Sequence, residues 1–319
     1  MGGKIEIDGL ASLKILRLVS TGISGFPDAI DKLSRLEKLD LHECKILQLL
    51  AQSFSKLPSL QHFDLISCDK LQSLPELPAC LIALGVTCLH RTLPQLSHLI
   101  LLKRLGVVGC RSLESMLELP SGILELFVQD CDELKELPSL SNLEFLTKLT
   151  IDSCSELTEI KGPEALKYLA QLTVSRCGKL SNLYGLEHLE SLRSLWLRMF
   201  SKSDDALCPV ADDTVQVRGL NKLKNLEELR LGDCQSLVRP DLSQLTRLKQ
   251  LSICECQNLV EVKGLERLKN LEKLDMEGCS SIEALPDLSG FDNLKDLNIK
   301  GCCKLCDVQG LQKVAKVEK

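Results

Sequence analysis

The chain has 319 residues, of which 44% are hydrophobic, 26% charged and 3% aromatic, and its formal net charge is −5. Abundant Leu, Ile and Val with moderate Gly and Pro exclude a disordered or collagen-like chain, and the charge balance excludes a basic footprint for nucleic acid or an anionic membrane. No apolar stretch reaches the roughly 18 residues that a transmembrane helix needs, so we expect a water-soluble protein. Because aromatic residues are scarce, we expect its core to be built almost entirely from aliphatic side chains.

The N-terminus and the asparagines favour a protein that stays inside the cell. Met1-Gly-Gly-Lys-Ile-Glu-Ile-Asp alternates charge with Ile and lacks the apolar run of a signal peptide. Glu6 stands where a myristoylation signal has Ser or Thr, and none of the eight Asn residues begins an Asn-x-Ser/Thr sequon. We therefore predict a cytoplasmic protein, with the nucleus as a second compartment.

One pattern recurs along the chain at intervals of 21 to 24 residues, with a single interval of 34. An early copy reads Leu36-x-x-Leu39-x-Leu41-x-x-Cys44, and we take the last residue of each copy as its anchor. The residues eight, five and three positions before the anchor are apolar in all thirteen copies, which chance does not produce at this composition. The anchors are Thr21, Cys44, Cys68, Leu89, Cys110, Cys131, Cys154, Cys177, Phe200, Cys234, Cys256, Cys279 and Cys302.

The spacing of the leucines determines the predicted fold. Leu39 and Leu41 are two positions apart and face the same way on a short strand, while Leu36 enters the core from the preceding turn. One unit cannot bury its apolar edge alone, but stacked units form a continuous core, and this period with this leucine spacing is the signature of leucine-rich repeats. We predict a single α/β solenoid domain over residues 1–319. It is a leucine-rich repeat horseshoe of about 13 repeats, with a parallel β-sheet on the concave face and mostly irregular or short-helical convex segments.

The cysteines follow the repeat. Ten of the sixteen occupy the anchor, where a small thiol packs as a hydrophobe and its S–H reaches a neighbouring carbonyl. Disulfides would make no periodic sense in such a ladder, so we expect reduced thiols. Cys303-x-x-Cys306 could be half of a zinc site, but no second Cys pair or His lies nearby in the sequence. We therefore predict no metal.

Residues six, four and two positions before each anchor point away from the leucine core, and most of them are charged or small and polar. Large apolar residues at these positions are anomalous. Phe127 and Trp196 both lie four positions before their anchors, and Arg198 and Arg230 lie beside Trp196 in the pattern. Because Trp and Arg are frequent interface hot spots, we predict that these four residues bind a protein. The alternative is that Trp196 covers the base of an adjacent insertion.

That insertion, at residues 201–219, accounts for the long interval. Its acidic and Pro-containing sequence predicts an exposed loop, which either carries recognition or is tolerated without a role. At the end of the chain, Val308-Gln-Gly-Leu311-x-x-Val314-x-x-Val317 begins a fourteenth copy that we expect to stop before its strand. Neither end has the polar cap of a solenoid, which predicts either missing neighbouring domains or a shortened paralogue.

No sequence motif predicts catalysis. The chain lacks a phosphate-binding loop, a dinucleotide fingerprint, a zinc-protease helix and a nucleophile elbow. His42 and His62 fall on strand positions of neighbouring repeats, and two solvated surface histidines explain them better than an acid–base pair does. We predict that the chain is not an enzyme and has no cofactor and no small-molecule substrate.

The repeats resemble the C-terminal leucine-rich region of plant intracellular immune receptors, within the TIR–nucleotide-binding–leucine-rich-repeat class of the flax rust-resistance type. The segments that carry the resemblance are Leu149-Thr-Ile151-Asp-Ser-Cys154, Leu274-Asp-Met276-Glu-Gly-Cys279 and Leu297-Asn-Ile299-Lys-Gly-Cys302. The resemblance covers essentially the whole chain, but the TIR and nucleotide-binding domains have no counterpart in it.

This resemblance implies a protein-recognition module in the defence response. Its partner would be a pathogen effector, or the nucleotide-binding and TIR domains of a receptor in autoinhibitory contacts. The alternative is a general intracellular scaffold, adaptor or enzyme inhibitor unrelated to immunity. An extracellular inhibitor of cell-wall enzymes is disfavoured because signal peptide and sequons are absent.

Overall fold

Each of the thirteen repeats contributes one short strand. The computed structural model describes residues 3–4, 6–180, 183, 185–198 and 219–319. The chain divides into two compact units, Met1–Leu157 (unit 1) and Thr158–Lys319 (unit 2). That the two units form one domain stays a prediction. The predicted insertion at 201–219 lies outside the described residues, apart from Gly219.

Unit 1 contains a parallel sheet with the strand order β2-β4-β5-β6-β7-β8-β9, and β1 pairs separately with β3. The strands are Gly3–Lys4 (β1), Ile15–Arg17 (β2), Ile23–Gly25 (β3), Lys38–Asp40 (β4), His62–Leu65 (β5), Ala83–Val86 (β6), Arg104–Val108 (β7), Glu125–Gln129 (β8) and Lys148–Asp152 (β9). Short 3₁₀ helices cover Asp28–Lys32, Gln52–Lys56 and Leu140–Asn142.

In unit 2, the strands β10 to β16 pair in parallel and in chain order. The strands are Gln171–Ser175 (β10), Ser194–Arg198 (β11), Glu228–Gly232 (β12), Gln250–Cys254 (β13), Lys273–Asp275 (β14), Asp296–Asn298 (β15) and Lys316–Glu318 (β16). The 3₁₀ helices are Pro163–Ala165, Leu186–His188, Leu220–Lys222, Leu265–Arg267, Leu288–Gly290 and Leu311–Lys313. The expectation that the fourteenth repeat stops before its strand is wrong, because Val317 pairs with Leu297.

The predicted core positions are buried. In every repeat from the second to the thirteenth, the residues eight, five and three positions before the anchor are buried, and only the first repeat leaves them half-buried. All ten anchor cysteines are buried. The predicted fold class is confirmed: the chain is a parallel-sheet solenoid whose return segments are irregular or short 3₁₀ turns.

In eleven repeats the chain leaves the strand through a left-handed residue directly before the anchor. Eight such residues are not glycine: Ser20, Glu43, Ser67, Asp130, Ser153, Arg176, Asp233 and Glu255. Glycine occupies the same position at Gly109, Gly278 and Gly301. The left-handed turn directs the backbone N–H of that residue to a carbonyl of the next coil, as from Asp233 to Cys254 at 3.0 Å. It thereby links successive coils.

Several anchor thiols bond to carbonyls of the preceding coil, whereas those of Cys177, Cys234 and Cys256 bond to the carbonyl two residues earlier. Cys44 donates to the Leu18 carbonyl at 3.0 Å, and Cys279 donates to the Ile253 carbonyl at 3.0 Å. All described cysteines are reduced thiols. Burial raises the pKa of the Cys68 thiol to about 12, so this thiol stays protonated and acts as a packing group.

One predicted anchor is wrong. Leu89 is 51% exposed, and the neighbouring Cys88 is 3% exposed, with its sulfur 3.6 Å from that of Cys110. The left-handed turn is missing from this repeat, and the Thr87 hydroxyl replaces it. This hydroxyl accepts the N–H of Ser67 at 2.9 Å and donates to the Val108 carbonyl. The ladder between coils therefore continues through a side chain.

Candidate functional site

Trp196 is the large aromatic residue on the outward face of the unit 2 sheet. It lies at the centre of β11 and is 41% exposed, whereas its neighbours Leu195 and Leu197 are fully buried. The strand alternation therefore excludes Trp196 from the core, as the sequence predicts. In register it lies between Thr173 of β10 and Arg230 of β12.

Arg230 stacks on the Trp196 ring. Its guanidinium carbon lies 5.6 Å from the ring centroid, within the distance for a cation–π contact. The Arg230 Nη2 atom also lies 2.5 Å from Oε1 of Glu228, two residues earlier on the same strand. These two contacts hold the planar guanidinium in place.

Arg198 completes the group that the sequence singled out. Its Nε donates to Oδ2 of Asp233 at 3.0 Å. The side chain reaches Asp233 across Gly232, which is in register with Arg198. A Cβ atom at Gly232 would lie only 3.1 Å from the Arg198 Cγ. Glycine at this position therefore leaves the space that the arginine occupies.

A shallow depression lies beside Arg230. Its volume is about 80 Å³, and its lining residues are Arg230, Gln250, Leu251, Ser252, Lys273 and Asp275. Ser252 lies in register between Arg230 and Asp275, and its short side chain leaves the gap between the two longer ones. Ser252 and Gly232 were not predicted from the sequence, because the space that a small residue leaves on this face depends on the size of its neighbours on the adjacent strands.

Phe127 lies in unit 1, so the structure does not place it in one group with the other three predicted residues. It is half-buried in β8, and the Lys148 Nζ lies 5.1 Å from its ring centroid. Its other neighbour in register is Gly106, followed by Gly85. The Ile66 side chain lies over Gly85, 2.9 Å from where a Cβ would stand. Phe127 therefore borders a strip of small residues.

Among the described residues, no group of three or more His, Cys, Asp or Glu side chains is placed to hold a metal ion. Cys303 and Cys306 are exposed, and their thiols bond locally to the Gly301 and Lys304 carbonyls at 3.5 Å each. In the described part of the chain, no helix combines the length and apolar character needed to cross a bilayer.

Comparison with known proteins gives partial sequence matches. Residues 238–318 match the family model described as the leucine-rich repeat domain of the endo-beta-N-acetylglucosaminidase EndoS. The chain is 39% identical to disease resistance protein RPS4B of Arabidopsis thaliana over 66 residues, which is 21% of this chain and 6% of that protein. It is 39% identical to TMV resistance protein N of Nicotiana glutinosa over 95 residues, 29% of this chain and 8% of that protein. The matches therefore cover less than a tenth of either relative.

Two solved structures match across most of the chain. The leucine-rich effector YopM of Yersinia pestis aligns with a TM-score of 0.60 at 20% identity, covering 97% of this chain and 77% of that one. The functional domain of InlJ from Listeria monocytogenes, described as including a cysteine ladder, aligns with a TM-score of 0.52 at 16% identity, covering 91% and 68%. At these identities the likeness shows the fold alone. The chain is thus a leucine-rich repeat region, and in its aligned segments it is similar to plant disease resistance proteins.

Proposed function

We propose that this chain recognises a protein partner through the outward face of its strands, and that Trp196, Arg198 and Arg230 (the Trp196 cluster) make the central contacts. The observation that carries the proposal is the exposed Trp196 ring under the Arg230 guanidinium. The leucine core gains little from either side chain, because both lie on the face that the strand alternation directs outward.

The geometry of the cluster suits a binding hot spot. Interface energy concentrates in Trp, Tyr and Arg side chains that are held rigidly before binding. Arg198 is held by Asp233, and Arg230 is held by Glu228 and the indole ring. Ordering these side chains on binding therefore costs less conformational entropy. Phe127, with Lys148 over its ring, is proposed as a separate contact in unit 1.

The similarity to disease resistance proteins supports a role in plant defence. We propose that the partner is a pathogen effector, or the nucleotide-binding and TIR domains of a receptor in an autoinhibited state. The chain would act in the cytoplasm or nucleus by binding alone, without catalysis, cofactor or small-molecule substrate. A general intracellular scaffold is the competing function, and the experiment below separates the two.

The experiment screens the 319-residue chain against two defined panels: secreted effectors of plant pathogens, and isolated nucleotide-binding and TIR domains of plant receptors. Each interaction is remeasured with Trp196→Ala and with Arg230→Ala. We expect each substitution to weaken binding at least tenfold, because truncating a hot spot costs about 2 kcal/mol or more.

The matched control is Val238→Ala. Val238 is 43% exposed, close to the 41% of Trp196, but lies beyond the strand and off the outward face. It should leave affinity unchanged. The proposal fails if neither panel contains a partner, or if binding tolerates loss of Trp196 and Arg230. A third panel of unrelated cellular proteins is screened in parallel, and a partner found only there would support the scaffold function.

A further inference from the structure

The turn before each strand has a regular outer edge in unit 2. Two residues there, ten and nine positions before the anchor, separate two apolar residues that are buried in the eighth to thirteenth repeats. In three of these turns the second residue is an Asn, whose side chain donates to a backbone carbonyl of the preceding coil. Asn225 donates to Glu190 at 2.7 Å, Asn270 to Thr246 at 2.7 Å and Asn293 to Lys269 at 3.3 Å. This edge is polar in most turns, with the exception of Tyr168, which lies at the same position of the first turn and is 53% exposed.

One stretch of the same edge in unit 1 is apolar. Ile100 and Leu101, at these two positions of one turn, are 72% and 50% exposed, and Phe145, two turns later, is 56% exposed. Half-buried Ile82 and Leu124 border them. The solenoid does not require apolar residues here, because equivalent turns of the same chain use Asn. An exposed apolar patch on an otherwise polar edge indicates an interaction surface.

Side-chain size alternates along this edge. Four successive turns carry Ala79–Cys80, Ile100–Leu101, Ser121–Gly122 and Glu144–Phe145, so a small pair, a large pair, a small pair and a turn with a large ring follow one another. Adjacent coils are about 4.8 Å apart. A two-fold axis midway between the second and third turns places Ile100–Leu101 of one copy on Ser121–Gly122 of another, and Phe145 on Ala79–Cys80. The edge is therefore complementary in shape to itself.

Charge follows the same symmetry. Arg104 and Glu125 flank the edge on β7 and β8 and are neighbours in register. No ion pair within the described residues includes either side chain. The two-fold axis that matches the turns also places Arg104 of each copy opposite Glu125 of the other. A symmetric contact would thus form two equivalent ion pairs at its rim.

We propose that this edge of unit 1, centred on Ile100, Leu101 and Phe145, binds a second copy of the chain in an isologous dimer. At about 200 Å² for each side chain, in line with the area that large apolar residues bury, the three residues expose roughly 350 Å². A standard interface buries about 800 Å² per partner around an apolar centre. The patch supplies such a centre, and the rim around Arg104 and Glu125 supplies the remainder.

The experiment is sedimentation velocity of the full chain over a concentration series, with mass confirmed by light scattering. The wild type is expected to show a reversible monomer–dimer equilibrium. Leu101→Asn introduces the residue that unit 2 uses at this position, so it should preserve or raise the melting temperature while weakening dimerisation at least tenfold. Leu49→Asn is the matched control: Leu49 is 55% exposed in unit 1 but lies elsewhere in its repeat. It should leave dimerisation unchanged.

A charge exchange tests the symmetry. Arg104→Glu and Glu125→Arg should each weaken the dimer, and the double variant should restore it. A wild type that stays monomeric at all concentrations overturns the proposal, as does a dimer that tolerates Leu101→Asn. If Leu101→Asn does not fold, Ile100→Lys provides the same test, because Ile100 is 72% exposed. The Trp196 cluster plays no part in this contact, so Trp196→Ala should leave the dimer intact whether or not the proposed function holds.

Discussion

The Thr87 hydroxyl gives the sharpest test of how the solenoid continues through its irregular repeat. Thr87 is 2% exposed, and its oxygen links two neighbouring coils by accepting the Ser67 N–H and donating to the Val108 carbonyl. Thr87→Val keeps the shape of the side chain and removes both hydrogen bonds. The backbone N–H of Ser67 and the carbonyl of Val108 then lose their partner.

The expected cost follows from these two groups. A buried polar group left without a partner costs about 1–3 kcal/mol. Ser67 is half-buried, so water can reach its N–H in part. We therefore expect Thr87→Val to lower the free energy of unfolding by about 2–4 kcal/mol. Thr87→Ser keeps the hydroxyl and loses only a methyl group, so it should cost about 1 kcal/mol.

Urea unfolding followed by circular dichroism measures the difference. The control is Thr150→Val, the same substitution on the outward face of β9, where we expect a change of no more than about 0.5 kcal/mol. If Thr87→Val unfolds at the wild-type midpoint, or if Thr87→Ser is the more damaging of the two, the hydroxyl does not carry the link between coils.

Three further predictions concern the turns and the thiols. Gly264→Ala should lower the free energy of unfolding by about 3 kcal/mol or more, because at φ +78° the new Cβ would lie 2.4 Å from Ser243. Gly9→Ala is the comparison: at φ +84° with nothing within 4 Å, it should cost only the backbone strain of about 1–2 kcal/mol. Urea unfolding measures both. The hydrogen bond with Cys234 and burial raise the pKa of Cys256 from 9.0 to about 12, so folding disfavours the thiolate form. The contribution of this thiol to the free energy of unfolding is therefore complete below pH 9 and is lost as the pH rises towards 12. Thermal melts across that range detect the loss. Asp233→Gly relieves a left-handed residue at φ 57° but releases Arg198, so we expect unchanged or slightly higher stability with weaker partner binding by titration calorimetry.

The strands and the core could be predicted from the sequence because a single rule places them. Apolar residues at fixed distances before the anchor face one way, and stacking in register buries them. Leu36, Leu39 and Leu41 follow this rule and are fully buried. The rule failed at Leu89, where two adjacent apolar residues compete for one position. Cys88 takes that position because Thr87 closes the coil without the left-handed residue that other repeats use.

The candidate site could be predicted only in part. Alternation identified Trp196 and Phe127 as outward residues, and the pairing of β11 with β12 places Arg230 beside Trp196. The partners Glu228 and Asp233 depend on side-chain directions that a repeat pattern does not contain. The strand at the chain end was not predicted, because the fourteenth copy has no anchor; a strand needs only a neighbour in register, and Val317 has Leu297.

The left-handed residues show how backbone strain and side-chain contacts oppose each other in this chain. Glycine would take that conformation without strain, yet eight described repeats use residues for which it costs about 1 kcal/mol or more. Two of these side chains bond to the preceding coil: Glu43 accepts from Ser20 at 2.6 Å, and Asp233 accepts from Arg198 at 3.0 Å. Glycine at either turn would relieve the strain but lose the contact between coils, so the two effects act in opposite directions on the free energy of unfolding.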